Sequence, residues 1–322
     1  MNVVVVVSGG LAETLKAAPM MRAMASAPSG PPLVLCAPDG ADLVRTIGGI
    51  GEVVTVPALG GQGALPGQLW ATLRFRRIDT AVVCSERLGV RTAVFTAAVP
   101  RRVGCRAGIS DLLLTDAVRC PRHENRQQAW SRLAVAMGFA VPSAAPLFTP
   151  PQAVLDAAEQ RLLATGVGDG RLLVAIAPGS AFSARDADNW SPERYAHLAN
   201  RLALRHGVGI VLLGDERDRL VAEALRIDLA APALDLCGEI DLPTTAAVIA
   251  RCDLLISADT PLLHVAAAVG TASVGLFAGS DGRLRGFPGP QHRIVQATAD
   301  GCVASLDRIR VEDVLAAIEG AL

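Results

Sequence analysis

Short runs of consecutive apolar residues alternate along the whole chain with longer stretches of mixed polarity. Val3–Val7 is five valines in a row, ended by Ser8, Gly9 and Gly10. An apolar run without alternation predicts a strand buried on both faces. Residues 12–27 carry the helical period, with Pro19 predicting a bend. Residues 32–37 and 52–57 and Thr80–Cys84 predict further strands. Strands separated by helical stretches are βαβ units and imply a parallel sheet. The pattern breaks at 141–152, VPSAAPLFTPPQ, where four prolines in twelve residues mark a linker.

The same grammar then restarts. A helix is predicted at 154–164 and a strand at 172–177, ending in Pro178, Gly179 and Ser180. Helix Pro192–His206 is followed by strand 210–213, which runs into Gly214, Asp215 and Glu216. A short strand at 234–237 and a helix at 244–251 come next. Strand Leu254–Ala258 runs into Asp259, Thr260 and Pro261, then helix 262–269 and strand 273–277. An amphipathic helix at 311–322 closes the chain, and no repeat shows at solenoid periods. The expectation is α/β: two doubly wound domains, 1–150 and 151–322, facing each other across a cleft. The last helix is left free to pack back on the first domain.

Length and composition agree with two buried cores. At about 100–200 residues per domain, 322 residues make two. With 51% hydrophobic and 19% charged residues the chain is not disordered. No apolar run approaches the roughly 18–20 residues of a membrane span, and no secretory leader is visible. Seven cysteines, an odd number without a CxxC, read as a reduced cytoplasmic chain with neither a disulfide framework nor a zinc site. Net charge is −1, so bulk charge makes no appeal to nucleic acid, and 3% aromatics provide no stacking platform. Residues 1–150 nevertheless carry 15 Lys+Arg against 9 Asp+Glu, and the remainder 15 against 22. That asymmetry fits an anionic ligand on the first half, or two surfaces that attract each other.

Open parallel sheets bind ligands beyond the carboxyl ends of their strands. The loops there are 8–13, 178–188, 214–218 and 259–264. Asp259 or Thr260 can cap a helix whose first turn holds Pro261, and the free N–H groups of a helix start suit phosphate. The alternative is that Asp259 only caps a structural helix. There is no GxGxxG and no Walker lysine, so neither a dehydrogenase nor a P-loop enzyme is indicated. Asp186-Ala187-Asp188 has the form of a metal–diphosphate site but equally that of a solvated loop. GxSxG and HExxH are absent. His264, on an apolar helix, is either a core histidine or a ligand contact; His123, His197, His206 and His292 belong to no constellation.

The segment 253–277, DLLISADTPLLHVAAAVGTASVGLF, resembles the signature of the ADP-heptose:lipopolysaccharide heptosyltransferase family, glycosyltransferase family 9. LCGEIDLPTTAAVIARCDLL, AIAPGSAFSARDADNWSPERYAHLANRL, IDTAVVCSERLGVRTAV and PRRVGCRAG resemble the family's other units in the right order, over nearly the whole chain. The resemblance implies a GT-B architecture of two Rossmann-like domains, acceptor on the first and nucleotide sugar on the second. It implies inverting, metal-independent transfer with no cofactor, since the ADP-sugar is a substrate. The family's catalytic aspartate falls on Glu13. Ser180, Asp215, Glu216, Leu242, Asp259, Thr260 and His264 fall on its donor positions. The family's lysine two residues before the tryptophan is Asp188 here, with Arg185 as a stand-in, and the glycine after Asp-Thr is Pro261.

Lys16, three residues past Glu13, can ion-pair with it. Lys16, Arg101 and Arg102 are the expected acceptor contacts, with Arg74, Arg76 and Arg77 as further basic candidates. The implied partners are a nucleotide-sugar donor and an acceptor that is a lipopolysaccharide core sugar or a small natural-product glycoside. No nucleic acid and at most peripheral membrane contact are expected. Two other readings share the fold: a non-catalytic nucleotide-sugar-binding paralogue and a sugar-nucleotide 2-epimerase.

Overall fold

A computed structural model describes every residue except 1, 29, 61–64, 122, 142–145, 180–189, 280, 298–303 and 320–322. The chain divides into two compact units, Met1–Phe148 and Thr149–Leu322.

The first unit runs β1 (Val3–Val7), α1 (Leu11–Met24), β2 (Leu33–Cys36), α2 (Ala41–Thr46), β3 (Val53–Thr55), α3 (Leu65–Arg74), β4 (Thr80–Cys84), α4 (Leu88–Thr96), β5 (Arg101–Cys105), β6 (Asp116–Val118) and α5 (Arg126–Ala136). Its strands pair in parallel in the order β3-β2-β1-β4-β5-β6. The second runs α6 (Gln152–Ala164), β7 (Leu173–Ala177), α7 (Pro192–His206), β8 (Gly209–Leu212), α8 (Arg219–Ile227), β9 (Ala233–Asp235), α9 (Leu242–Arg251), β10 (Leu254–Ala258), α10 (Pro261–Val269), β11 (Ala272–Phe277), α11 (Gly282–Arg285), β12 (His292–Gln296) and α12 (Val311–Ile318). Its order is β12-β11-β10-β7-β8-β9, again all parallel. Counted from the first strand of each unit, both sheets follow the doubly wound order 3-2-1-4-5-6. The chain reverses its direction of winding between β1 and β4 in one sheet and between β7 and β10 in the other.

The five-valine strand β1 is buried throughout, at 5% exposure or less, as a central strand covered on both faces must be. In the second unit Trp190 sits edge-on to Tyr195, ring centroids 4.7 Å apart, and its indole N–H donates to the Ile309 carbonyl at 2.9 Å. That bond satisfies a buried donor and ties the segment before α12 to the core. Strands β5, β6 and β12 escape a reading by apolar runs. β5 begins Arg-Arg and β12 reads His-Arg-Ile-Val-Gln, because strands at or near a sheet's edge need less apolar surface.

α1 runs through Pro19 as one helix. α12 packs within its own unit, against α7, β11 and β12, where its apolar stripe closes the core. The expectation of fully reduced cysteines is corrected: Cys105 and Cys120 form a disulfide, with Cα atoms 5.5 Å apart. They are 15 residues apart in sequence, but the parallel register sets Cys105 opposite Val118 and so brings Cys120 beside it. Cys36, Cys84, Cys237 and Cys252 are buried thiols. No helix among the described residues is long and apolar enough to cross a membrane.

Candidate active site

At the first sheet's switch point, β1 leads through Ser8, Gly9 and Gly10 into α1, and Glu13 stands in the first turn of that helix. Gly9 has φ +118°, and a Cβ there would lie 2.8 Å from Glu13 Cγ, so only glycine lets the turn pass so close to the carboxylate side chain. The Lys16 ammonium, 3% exposed, donates to Glu13 Oε1 at 2.9 Å. Glu13 itself is half-buried, and its Oε2 makes no hydrogen bond to the described residues. Cys84 ends β4, on the far side of the switch point. Burial and then the Glu13 carboxylate push its thiol up, which sets Glu13 at the carboxyl edge of β1 and β4.

Neighbouring loops frame this carboxylate. Arg91, 1% exposed at the start of α4, donates to the Ser85 carbonyl, to Ser110 Oγ and to Asp111 Oδ1. It thereby pins the loop after β4 to the loop after β5. Arg106 lies at this edge and is exposed, with one guanidinium N–H donated to the Ala117 carbonyl.

Arg101 and Arg102 are not brought to Glu13. They pair with Thr80 and Ala81, the first residues of β4, whereas Cys84 is its last. They therefore occupy the amino edge, the opposite end of the sheet. Arg101 is tied to Asp116 at 3.2 Å, and Arg102 donates to the Leu113 carbonyl and lies over the Phe95 ring. Arg76 is likewise held by Glu52. Arg101 and Arg102, expected as acceptor contacts, thus stand at the edge opposite Glu13: a run of arginines in sequence does not say which end of a strand it caps. Arg87 and Arg106 follow the ends of β4 and β5 and so lie at the carboxyl edge, the edge of Glu13.

In the second unit, β10 leads into Asp259, Thr260 and α10. Thr260 caps the helix, its Oγ1 accepting from the Leu262 N–H at 3.3 Å. Ser257 Oγ donates to the Ala177 carbonyl at 3.0 Å and so accepts the Thr260 hydroxyl proton at 2.8 Å. The Thr260 N–H bonds the Ala258 carbonyl, and Pro261 has none. The polar groups at the start of α10 are thus largely committed inside the protein. Among the described residues, a group with donors to spare beside that helix start is Arg285, at the end of α11. Its Nε meets Asp259 Oδ2 at 2.6 Å, while the guanidinium is 57% exposed with two further nitrogens. Sequence reasoning missed Arg285, because it lies 26 residues beyond Asp259 with no motif around it. His264 is 2% exposed, its ring 6.2 Å from that of Phe287.

The remaining donor candidates lie at the same edge of this sheet. Asp215 caps the turn after β8, and its carboxylate is engaged by the Arg217 N–H and guanidinium, whereas Glu216 is exposed. Asp218, missed in sequence, accepts from the Asp215 N–H and holds that turn; burial raises its pKa. Leu242 opens α9, half-buried behind the Asp241 cap. Ser180 and Arg185, with Asp186 and Asp188, lie outside the described residues.

Two parallel sheets of identical winding in one chain, each ending in a loop-to-helix turn at its switch point, are the architecture of the GT-B class. The family model of glycosyltransferase family 9 (heptosyltransferase) matches residues 67–314, and the chain belongs to that family. Lipopolysaccharide heptosyltransferase 2 of Salmonella typhimurium is 29% identical over 243 residues, which is 71% of this chain and 68% of that protein. Among solved structures, a family 9 glycosyl transferase from Veillonella parvula superposes with a TM-score of 0.82 at 18% identity, covering 99% of this chain and 96% of that one. E. coli heptosyltransferase WaaC, solved with ADP, superposes at 0.74 with 18% identity, covering 99% and 97%.

Proposed function

We propose that this enzyme transfers a heptose from an ADP-heptose to a hydroxyl of a lipopolysaccharide core sugar, with inversion and without a metal. The observation that carries the mechanism is Glu13: a half-buried carboxylate at a switch-point helix start, one oxygen held by Lys16 and the other open. The acceptor oxygen attacks the anomeric carbon of the donor and its proton passes to Glu13. The bond from that carbon to the diphosphate oxygen breaks, and ADP leaves with the electron pair. The second unit holds the donor, with Arg285 set by Asp259 against the diphosphate as charge develops on it. The donor assignment draws on the family and on the ADP held by the WaaC structure; the acceptor assignment draws on the name of the Salmonella relative.

The test is turnover of ADP-heptose with a heptose-deficient lipopolysaccharide core and with small glycosides, with and without EDTA. Acceptor-dependent ADP release unaffected by EDTA, with the anomeric configuration inverted, is the expected result. Transfer to small glycosides alone would move the acceptor class to natural products. Sugar-nucleotide isomerisation without acceptor would make the enzyme an epimerase, and tight ADP binding without turnover would make it a binding paralogue. The acceptor KM is expected to rise in Arg87→Ala and Arg106→Ala and to stay constant in Arg101→Ala.

A further inference from the structure

Helix α1 begins without a cap of its own. Its N-cap is Gly10, which has no side chain, yet Gly10 holds the extended backbone of a capping residue, φ −83° and ψ −162°. The missing acceptor comes from another element. Asp39, in the loop between β2 and α2, accepts the Leu11 N–H on Oδ2 at 2.8 Å across 28 residues of sequence. The fit is close: a Cβ on Gly10 would lie 2.5 Å from that same Oδ2, and its other near contacts would also be Asp39 atoms. The turn so clamped carries the carboxylate. The Glu13 and Thr14 N–H groups both bond the Gly10 carbonyl, at 3.1 and 3.2 Å, so the backbone of Glu13 moves with Gly10.

We propose that Asp39 is a positioning residue for the transfer step, capping α1 in place of Gly10 and thereby setting where the Glu13 carboxylate stands. The proposal rests on Glu13 as the base. Asp39 makes no proton transfer itself. Without the cap the first turn of α1 frays, and a displacement of about 1 Å at a reacting group can cost on the order of 100-fold in rate.

The experiment is steady-state kinetics, per folded enzyme, on a cycle built from Asp39→Ala and Glu13→Gln, with two rescue variants. Asp39→Ala is expected to lower kcat about tenfold or more and leave the ADP-heptose KM within about twofold. In the Glu13→Gln background Asp39→Ala should cost nothing more, because a residue acting through another loses its effect when that residue is gone. Asp39→Asn keeps an acceptor oxygen and should stay within about threefold of wild type. Gly10→Ser in the Asp39→Ala background should recover part of the lost kcat: the space is then free, and the serine hydroxyl caps the same first turn through the Ala12 or Glu13 N–H instead of the Leu11 N–H. A wild-type kcat for Asp39→Ala, an equal loss in the Glu13→Gln background, or failure of both rescues overturns the proposal. Wild-type turnover by Glu13→Gln overturns instead the assignment of the base, whatever Asp39 does.

Discussion

The two sheets share one winding order but equip their switch points with opposite chemistry. In the first, the helix start is bare glycine, with Asp39 on the Leu11 N–H and Glu13 in the first turn, paired to Lys16. In the second, the helix start is capped by its own Thr260 and followed by proline, and the exposed group beside it is the Arg285 guanidinium. A helix N-terminus carries about half a positive charge in both cases. Under the proposed mechanism the first helix start, lined by Asp39 and Glu13, would take the acceptor proton, and the second, where Asp259 holds Arg285, would hold the leaving diphosphate.

The largest expected effect breaks the first half of this contrast. Glu13→Gln should lower kcat by roughly 10²–10⁴ and leave ADP affinity within about twofold, and Glu13→Asp should retain more activity than the amide. Calorimetry for ADP and turnover on the authentic acceptor check both. Because the Lys16 ammonium is buried against Glu13, the amide variant should also lose about 1–3 kcal/mol of stability. The thermal midpoint reports that loss separately from the chemistry.

Next in size is the disulfide, which only the first unit has among the described residues. Reduction of Cys105–Cys120, or Cys120→Ser, should lower stability by up to about 3 kcal/mol for a loop of 15 residues, seen by denaturant titration with and without reductant. Identical curves would show that the bond does not form in solution.

The anion-binding half is sharpened by comparing two variants. Arg285→Ala should weaken ADP by about 10–100-fold, the loss of a charge-assisted contact to phosphate. Thr260→Ala should cost only about fivefold, the value of a cap, since its hydroxyl proton is already given to Ser257. The reverse ranking by calorimetry would return the diphosphate to the helix start.

The smallest effect is pH-dependent and belongs to the second unit. Burial lowers the His292 pKa to about 4, and its Nδ1 lies 2.9 Å from Ser273 Oγ. The unfolded chain takes up a proton near pH 6.5 that the folded one refuses until about pH 4. His292 therefore contributes nothing to the pH dependence above 6.5. As pH falls from 6.5 toward 4, stability should drop by roughly 1–2 kcal/mol, allowing for partial exposure. Denaturant midpoints from pH 7.5 to 4 should show the slope, and His292→Gln should flatten it.

By itself the sequence determined what depends on neighbours in the chain. Runs such as Val3–Val7 and Leu254–Ala258 announce doubly buried strands, and Asp259-Thr260-Pro261 announces a capped helix. Glu13 could be placed in a first turn because it follows a strand and a glycine turn. These are local patterns, set by the periodicity of the backbone and by which residues tolerate water. The tertiary structure alone decided which distant residues share an edge. Asp39 reaches α1 because β2 lies beside β1, Arg285 reaches Asp259 because β11 lies beside β10, and Cys120 reaches Cys105 because β6 lies beside β5. Arg101 and Arg102 lie away from Glu13 for the same reason: strand polarity put them at the amino edge. Strand order and direction come from how whole layers pack, and side chains 15–30 residues apart carry no local mark of meeting.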